Sequence, residues 1–219
     1  MSRLSVILAV AALVTTSLTT PASAVTAERA IATARALPLG TTVVVEGTAT
    51  TPSGVFESSF SDKGFAIQDR TAGIYIKTTD DLGVRPGRKV RVTGVLTDSS
   101  GLRTIVPATA GVVLGRWDVP VRPEPVRTGD IGEPSEGRLV RLLARVTRPV
   151  EDDLPYGHKV HVDDGSGEVV VFVNTQTGIA VGRFAVGQRV RVVGFSSQYG
   201  DHYEIDPRGP KDLVVLPGS

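Results

Sequence analysis

Histidine is the residue most suited to acid–base work or metal ligation at neutral pH, and this chain has three, His158, His161 and His202, with no cysteine. His158 and His161 stand three apart on an expected strand, so they point to opposite faces and cannot easily share one metal. Acidic runs occur at Asp80-Asp81, Glu151-Asp152-Asp153 and Asp163-Asp164-Gly165-Ser166-Gly167-Glu168. The last is superficially like a calcium loop, but Gly165 and Gly167 interrupt the alternating oxygen ligands an EF-hand needs, and a tight turn between strands accounts for it as well. The phosphate-cradling, dinucleotide-binding, zinc-protease and nucleophile-elbow signatures are all absent from the sequence. Neither catalysis nor a resident cofactor or metal is expected. What remains is recognition, through aromatic rings and cations whose placement depends on the elements that carry them.

Those elements come in two copies. Gly87-Arg88-Lys89-Val90-Arg91-Val92-Thr93-Gly94-Val95 matches Gly187-Gln188-Arg189-Val190-Arg191-Val192-Val193-Gly194-Phe195 at a spacing of 100 residues, and Ile105 and Pro107 recur as Ile205 and Pro207. Each copy reads as five short β-branched strands between Gly, Pro, Asp and Ser clusters. They are expected near 42–50, 64–68, 73–78, 89–96 and 102–106, then 139–147, 158–163, 168–174, 189–195 and 202–205. Gly47, Gly94 and Gly194 interrupt the strand patterns where a missing Cβ allows the sharp coil of a small barrel. The fold class is therefore all-β, two tandem five-stranded OB-fold (Greek-key) barrels, preceded by a signal peptide and a short N-terminal helix near 26–37 that Pro38 and Gly40 stop.

Composition agrees with a turn-rich globular chain: 24 Gly, 14 Pro and 5% aromatics in 219 residues. The lack of cysteine excludes disulfide frameworks, Cys-bound zinc, iron–sulfur clusters, thiol catalysis and lipid attachment through cysteine. Residues 1–24 combine Arg3, an apolar run of about nine residues against the roughly 20 needed to span a bilayer, and Ala22-Ser23-Ala24, the pattern of a secretory leader cleaved after Ala24. The mature protein is expected to be secreted, periplasmic or extracellular, without a membrane span. Loss of Arg3 leaves 23 basic against 23 acidic residues, so no global field draws it to polyanions. Its parts are the leader at 1–24, the helix and first OB-fold at 25–116, a Pro-rich linker at 117–136 and a second OB-fold at 137–219. Trp117 is expected to dock the linker on a barrel.

The runs Ala34-Arg35-Ala36-Leu37-Pro38-Leu39-Gly40, Val43-Val44-Val45-Glu46-Gly47, Gly64-Phe65-Ala66-Ile67-Gln68-Asp69 and Gly73-Ile74-Tyr75-Ile76 resemble the OB-fold modules of secreted bacterial nucleases and related exported proteins. Glu136-Gly137-Arg138-Leu139-Val140-Arg141-Leu142 is similar to the stretch that opens a second such module. These are structural residues; in those nucleases cleavage belongs to a separate domain rich in His, Asp and Asn. The resemblance implies an accessory nucleic-acid-binding role without nuclease activity.

OB-folds bind extended oligomers across strands two and three and the neighbouring loops. Alternation sends Phe65, Ile67, Ile74 and Ile76 inward and Gln68, Tyr75 and Lys77 outward; in the second copy Lys159, His161 and Phe172 face out. The loops add Tyr156, Tyr199 and His202, and Arg103 stands beside the equivalent loop of the first copy. Phe56 and Phe60 are expected to plug barrel ends. An aromatic ring beside a cation suits single-stranded DNA or RNA. The alternative is an adaptor for protein or glycan, which the balanced charge suits better.

Overall fold

The computed structural model describes residues 27–218; the leader and its cleavage after Ala24 lie outside the described residues. Fourteen strands, β1 (Glu28–Arg29), β2 (Thr42–Ala49), β3 (Phe65–Gln68), β4 (Gly73–Ile76), β5 (Arg88–Ser99), β6 (Leu102–Asp118), β7 (Glu124–Pro125), β8 (Leu139–Val146), β9 (Glu151–Asp153), β10 (Gly157–Asp163), β11 (Val169–Asn174), β12 (Arg189–Tyr199), β13 (His202–Asp206) and β14 (Leu213–Val215), make two sheets. Two short helices, α1 (Ile31–Arg35) and α2 (Glu57–Phe60), accompany them. Among the described residues no helix is long and apolar enough to cross a membrane.

The first sheet closes into a five-stranded barrel. β2 pairs with β3, β3 with β4, β4 in parallel with β6, β6 with β5, and β5 back onto β2. The alternating side chains expected to face inward do so: Phe65, Ile67, Ile74, Ile76, Val90, Val92 and Ile105 are buried in one cluster. Gly94 is where β5 coils, with a register shift between Val92 and Gly94; a Cβ there would stand 2.4 Å from the Val106 carbonyl oxygen. The helix expected near 26–37 is shorter than its composition suggests, because Glu28 and Arg29 are drawn into β1, parallel to Val44 and Val45. Ile31 and Ala34 of α1 reach the barrel core.

In the second sheet β8 pairs with β10, β10 with β11, β11 in parallel with β13, and β13 with β12, which also pairs with β8. β7, β9 and β14 extend it at its margins. Val160, Val162, Val171, Val173, Val190, Val192 and Ile205 fill a core of their own. Gly194 repeats the role of Gly94, since a Cβ would lie 2.5 Å from Ile205 Cγ2.

Trp117 departs from expectation. β6 runs on to Asp118 and carries Trp117 away from the barrel, where it is 79% exposed and does not dock the linker. The Pro-rich stretch is instead tied down by β7, parallel to β8, and by Thr128, whose hydroxyl donates to Asp164 Oδ1 at 2.8 Å.

A third buried cluster lies between the sheets, where Phe56, Ala66, Tyr75 and Leu102 of the first unit meet Phe195 of the second, with Phe60 packed alongside. The seam is tight because two glycines meet backbone to backbone. A Cβ on Gly73 would stand 1.9 Å from the carbonyl oxygen of Gly137, which itself has φ of +82°. Arg35 reaches across it to Glu133 at 2.8 Å and Glu136 at 2.9 Å. Phe56 and Phe60 thus fill this seam and not the barrel ends; their loop between β2 and β3 folds outward against the neighbouring sheet.

Candidate functional site

Strand alternation sets the site. With Val160, Val162, Val171, Val173 and Ile205 turned into the core, Lys159, Phe172 and Glu204 emerge on the opposite face of β10, β11 and β13. The register places Lys159 opposite Phe172, and Val170 beside Glu204. The turn between β9 and β10 supplies Tyr156, and the hairpin between β12 and β13 supplies Tyr199 and His202. α2 of the first unit forms the remaining wall with Ser59 and Phe60. Together they enclose a groove of about 390 Å³.

The α2 wall is fastened through hydroxyls. Ser58 Oγ donates to the Tyr156 carbonyl at 2.6 Å, the Ser58 amide donates to Gln176 Oε1 at 3.0 Å, and Ser59 Oγ donates to Asn174 Oδ1 at 2.5 Å. At the mouth, Tyr156 and Tyr199 are exposed, Tyr199 by 61%, and the Tyr199 and His202 rings meet edge-on with centroids 5.9 Å apart. Phe172 lies at the floor, 5% exposed.

The electrostatics are not those of a simple cationic track. Lys159 Nζ is 2.8 Å from Asp153 Oδ2, and that hydrogen bond holds the ammonium above its ordinary pKa. Glu204 is 5% exposed, and burial pushes its carboxyl up to about 7, with the nearby Lys159 charge opposing the rise and Asp153 reinforcing it. His202 Nε2 lies 3.9 Å from its Oε2. Among the described residues no hydrogen bond reaches the Glu204 carboxylate. Beneath it Asp206 is fully buried, and burial followed by the Glu204 charge raises its carboxyl well above the usual range; Asn174 Nδ2 donates to its Oδ1 at 3.2 Å.

Five of the ten residues singled out from sequence converge on this groove: Tyr156, Lys159, Phe172, Tyr199 and His202. The others lie elsewhere. Tyr75 leaves the barrel core as alternation requires, but its face is covered. It is 1% exposed, packs on Phe195 and Phe60 with centroids 5.8 and 4.9 Å away, and donates its hydroxyl to Asp62 Oδ1 at 2.7 Å. Stacking of a base on Tyr75 is thereby blocked in this arrangement. Gln68 Oε1 accepts from the Leu139 amide at 2.9 Å, and Arg103 NH1 donates to the Leu37 carbonyl at 3.3 Å, so both belong to structural contacts. Lys77 Nζ donates to Ser99 Oγ at 3.2 Å, beside a second cavity under β6. His161 sits between Glu151, 3.2 Å from Nε2, and Glu168, 3.3 Å from Nδ1, away from the groove. The acidic loop near 163–168 is a turn closed on itself, with Asp164 held down to about 2 by hydrogen bonds from Ser166 and Thr128.

Sequence reasoning did not single out Glu204, and Asp153 entered only as part of the acidic run at 151–153. Alternation from His202 along β13 puts Glu204 on the outward face, but a carboxylate on a strand reads as a solvated side chain, and only its burial marks it.

No family model matches this chain. The endonuclease YhcR of Bacillus subtilis (strain 168) is 29% identical over 161 residues, which is 68% of this chain and 13% of YhcR, so the chain spans a small part of that relative. Among solved structures, a murine DNA-binding protein bound with double-stranded DNA aligns with a TM-score of 0.41 and 15% identity, covering 80% of this chain and 97% of that one. Fission yeast Pot1 with single-stranded DNA aligns with a TM-score of 0.42 and 9% identity, covering 87% and 88%. Likeness at these TM-scores carries no argument about what this chain binds.

Proposed function

We propose that this is an exported, non-catalytic protein of two tandem OB-fold modules that holds single-stranded nucleic acid in the groove across β10, β11 and β13. The single observation that carries the reading is the groove itself, where exposed tyrosines and a floor phenylalanine surround one lysine on the second, third and fifth strands of a five-strand ring. That is the face on which OB-folds take extended oligomers, with aromatic rings to stack on and a cation for the backbone. The shared pairing order of the two sheets supports the tandem reading. The similarity to a protein named as an endonuclease supports a nucleic-acid ligand, and the leader-like 1–24 segment supports export.

Phosphate contributes little in this reading, because Lys159 already faces Asp153. Affinity rests on stacking, and one or two displaced counterions give a log–log salt slope of about −1. The test is fluorescence anisotropy of residues 25–219 against labelled single-stranded and duplex oligonucleotides at low and moderate salt. Saturable binding that prefers single strands is expected. No binding at low salt overturns the proposal in favour of a protein or glycan ligand, which the paired lysine and two groove carboxylates also suit.

A further inference from the structure

Glu204 stands out on the groove floor because it is unusual on three counts at once. Its side chain is 6% exposed, it lines the groove, and among the described residues nothing donates a hydrogen bond to it. Its oxygens are not sealed off as the partnerless Asp206 Oδ2 is; they face the groove, where only water or a ligand can donate to them. The residues around it give no donor of the right reach: Lys159 is engaged by Asp153 at 2.8 Å, and His202 Nε2 stops at 3.9 Å.

On the nucleic-acid reading above, on which this rests, we infer that Glu204 reads the Watson–Crick edge of one flipped-out base and selects guanine. The selection follows from donor patterns. A carboxylate offers two acceptor oxygens side by side, and only guanine presents two adjacent donors, N1–H and the N2 amino group, to meet them. Adenine and cytosine each offer one amino donor next to a ring nitrogen whose lone pair would face the second oxygen. Thymine offers N3–H between two carbonyls, which the carboxylate repels. Phe172 on the floor and Phe60 on the α2 wall provide apolar surface for the base plane. The 390 Å³ of the groove lies in the range of small-molecule sites, about 300–1,000 Å³. Single-stranded bases splayed onto aromatic rings and read on this edge are the usual mode of sequence recognition in unpaired strands.

The experiment uses residues 25–219 at pH 8, where the Glu204 carboxyl is mainly ionised, and short oligothymidylates carrying one central guanine, inosine, 7-deazaguanine or thymine, read by anisotropy. Guanine should bind about tenfold tighter than thymine, the effect of one good bidentate contact. Inosine, which lacks the N2 amino group, should lose most of that advantage, and 7-deazaguanine, whose Watson–Crick edge is intact, should keep it. Glu204→Gln should bring the guanine-to-thymine ratio close to one. Binding of all four probes with equal affinity overturns the inference and leaves the nucleic-acid reading standing. A guanine preference that inosine shares, or that Glu204→Gln retains, also overturns it. Failure of every probe to bind overturns both, and saturation by an arginine-containing peptide in that case would reassign the carboxylate to a protein partner.

Discussion

Raising the pH from 5 to 8 should destabilise this protein, and the groove floor sets most of the effect. Glu204 is pushed from 4.5 to about 7 by burial, and Asp206 beneath it moves well up for the same reason. Lys159, Asp153 and His202 are the charged or titratable groups facing Glu204 from β10, β9 and β13. A carboxyl whose folded pKa lies above its unfolded value binds more protons in the native state. Between those two values each step up in pH therefore favours the unfolded chain. At about 1.4 kcal/mol per pH unit for each proton held, the Glu204–Asp206 pair together loses stability on the order of a few kcal/mol as it sheds its protons. Asp62 and Glu136, raised chiefly by burial, add to it. On the acid side Asp164, held at about 2, and Glu168, lowered first by its Thr147 hydrogen bond, contribute stability that is lost as pH falls below the ordinary carboxylate range. The stability maximum should thus fall near pH 5. Urea unfolding across pH 4–9 measures it, with Glu204→Gln and Asp206→Asn each flattening the alkaline limb and Glu204→Gln more stable than the parent at pH 8. A free energy that stays level or rises from pH 5 to 8 would refute the reasoning, as would an alkaline limb unchanged in both variants.

Tyr199→Ala should weaken single-strand binding by about 1–3 kcal/mol with unfolding changed by less than about 0.5 kcal/mol, because the ring is exposed at the groove mouth. Tyr75→Ala should do the opposite, lowering stability by about 3–5 kcal/mol in urea melts because the ring is buried between the units. Gly73→Ala forces a methyl into the Gly137 carbonyl and should destabilise by about 1–3 kcal/mol or more, read as a fall in the urea midpoint. Arg35→Ala strands the buried Glu136 carboxylate and should cost about 3–5 kcal/mol at pH 8, and progressively less as the pH falls and that carboxyl, raised by burial, takes up a proton; a loss independent of pH would contradict this.

Strand positions were legible because valine alternation at Val90/Val92 and Val190/Val192 reports burial on one face, and Gly94 and Gly194 mark where each strand must coil. Alternation also placed Tyr75 and Phe172 outside the cores. It tells which face a side chain takes and nothing about what covers that face. The cover depends on how the two units dock, and that is set by contacts without period: the glycine pair at Gly73 and Gly137, and Arg35 bridging to Glu136. Trp117 departs for a related reason: Pro107 reads as the end of the strand at residue 106, but β6 runs through it beside the coil at Gly94, so a residue assigned to a linker is instead an exposed strand end.

Docking has a consequence for the groove. Its floor belongs to the second sheet, yet one wall is α2, which is part of the first unit and is held through Ser58 and Ser59. The same contact that hides Tyr75 therefore builds the recess around Phe172 and Glu204. Binding and docking are linked on this geometry: whatever loosens the seam moves Phe60 away from the floor and exposes Glu204 to water, and whatever fills the groove against Phe60 and Phe172 tightens the seam. A ligand in the groove should thus slow amide exchange in α2, which it meets at Phe60, and also around Tyr75 of the first unit, which it does not touch.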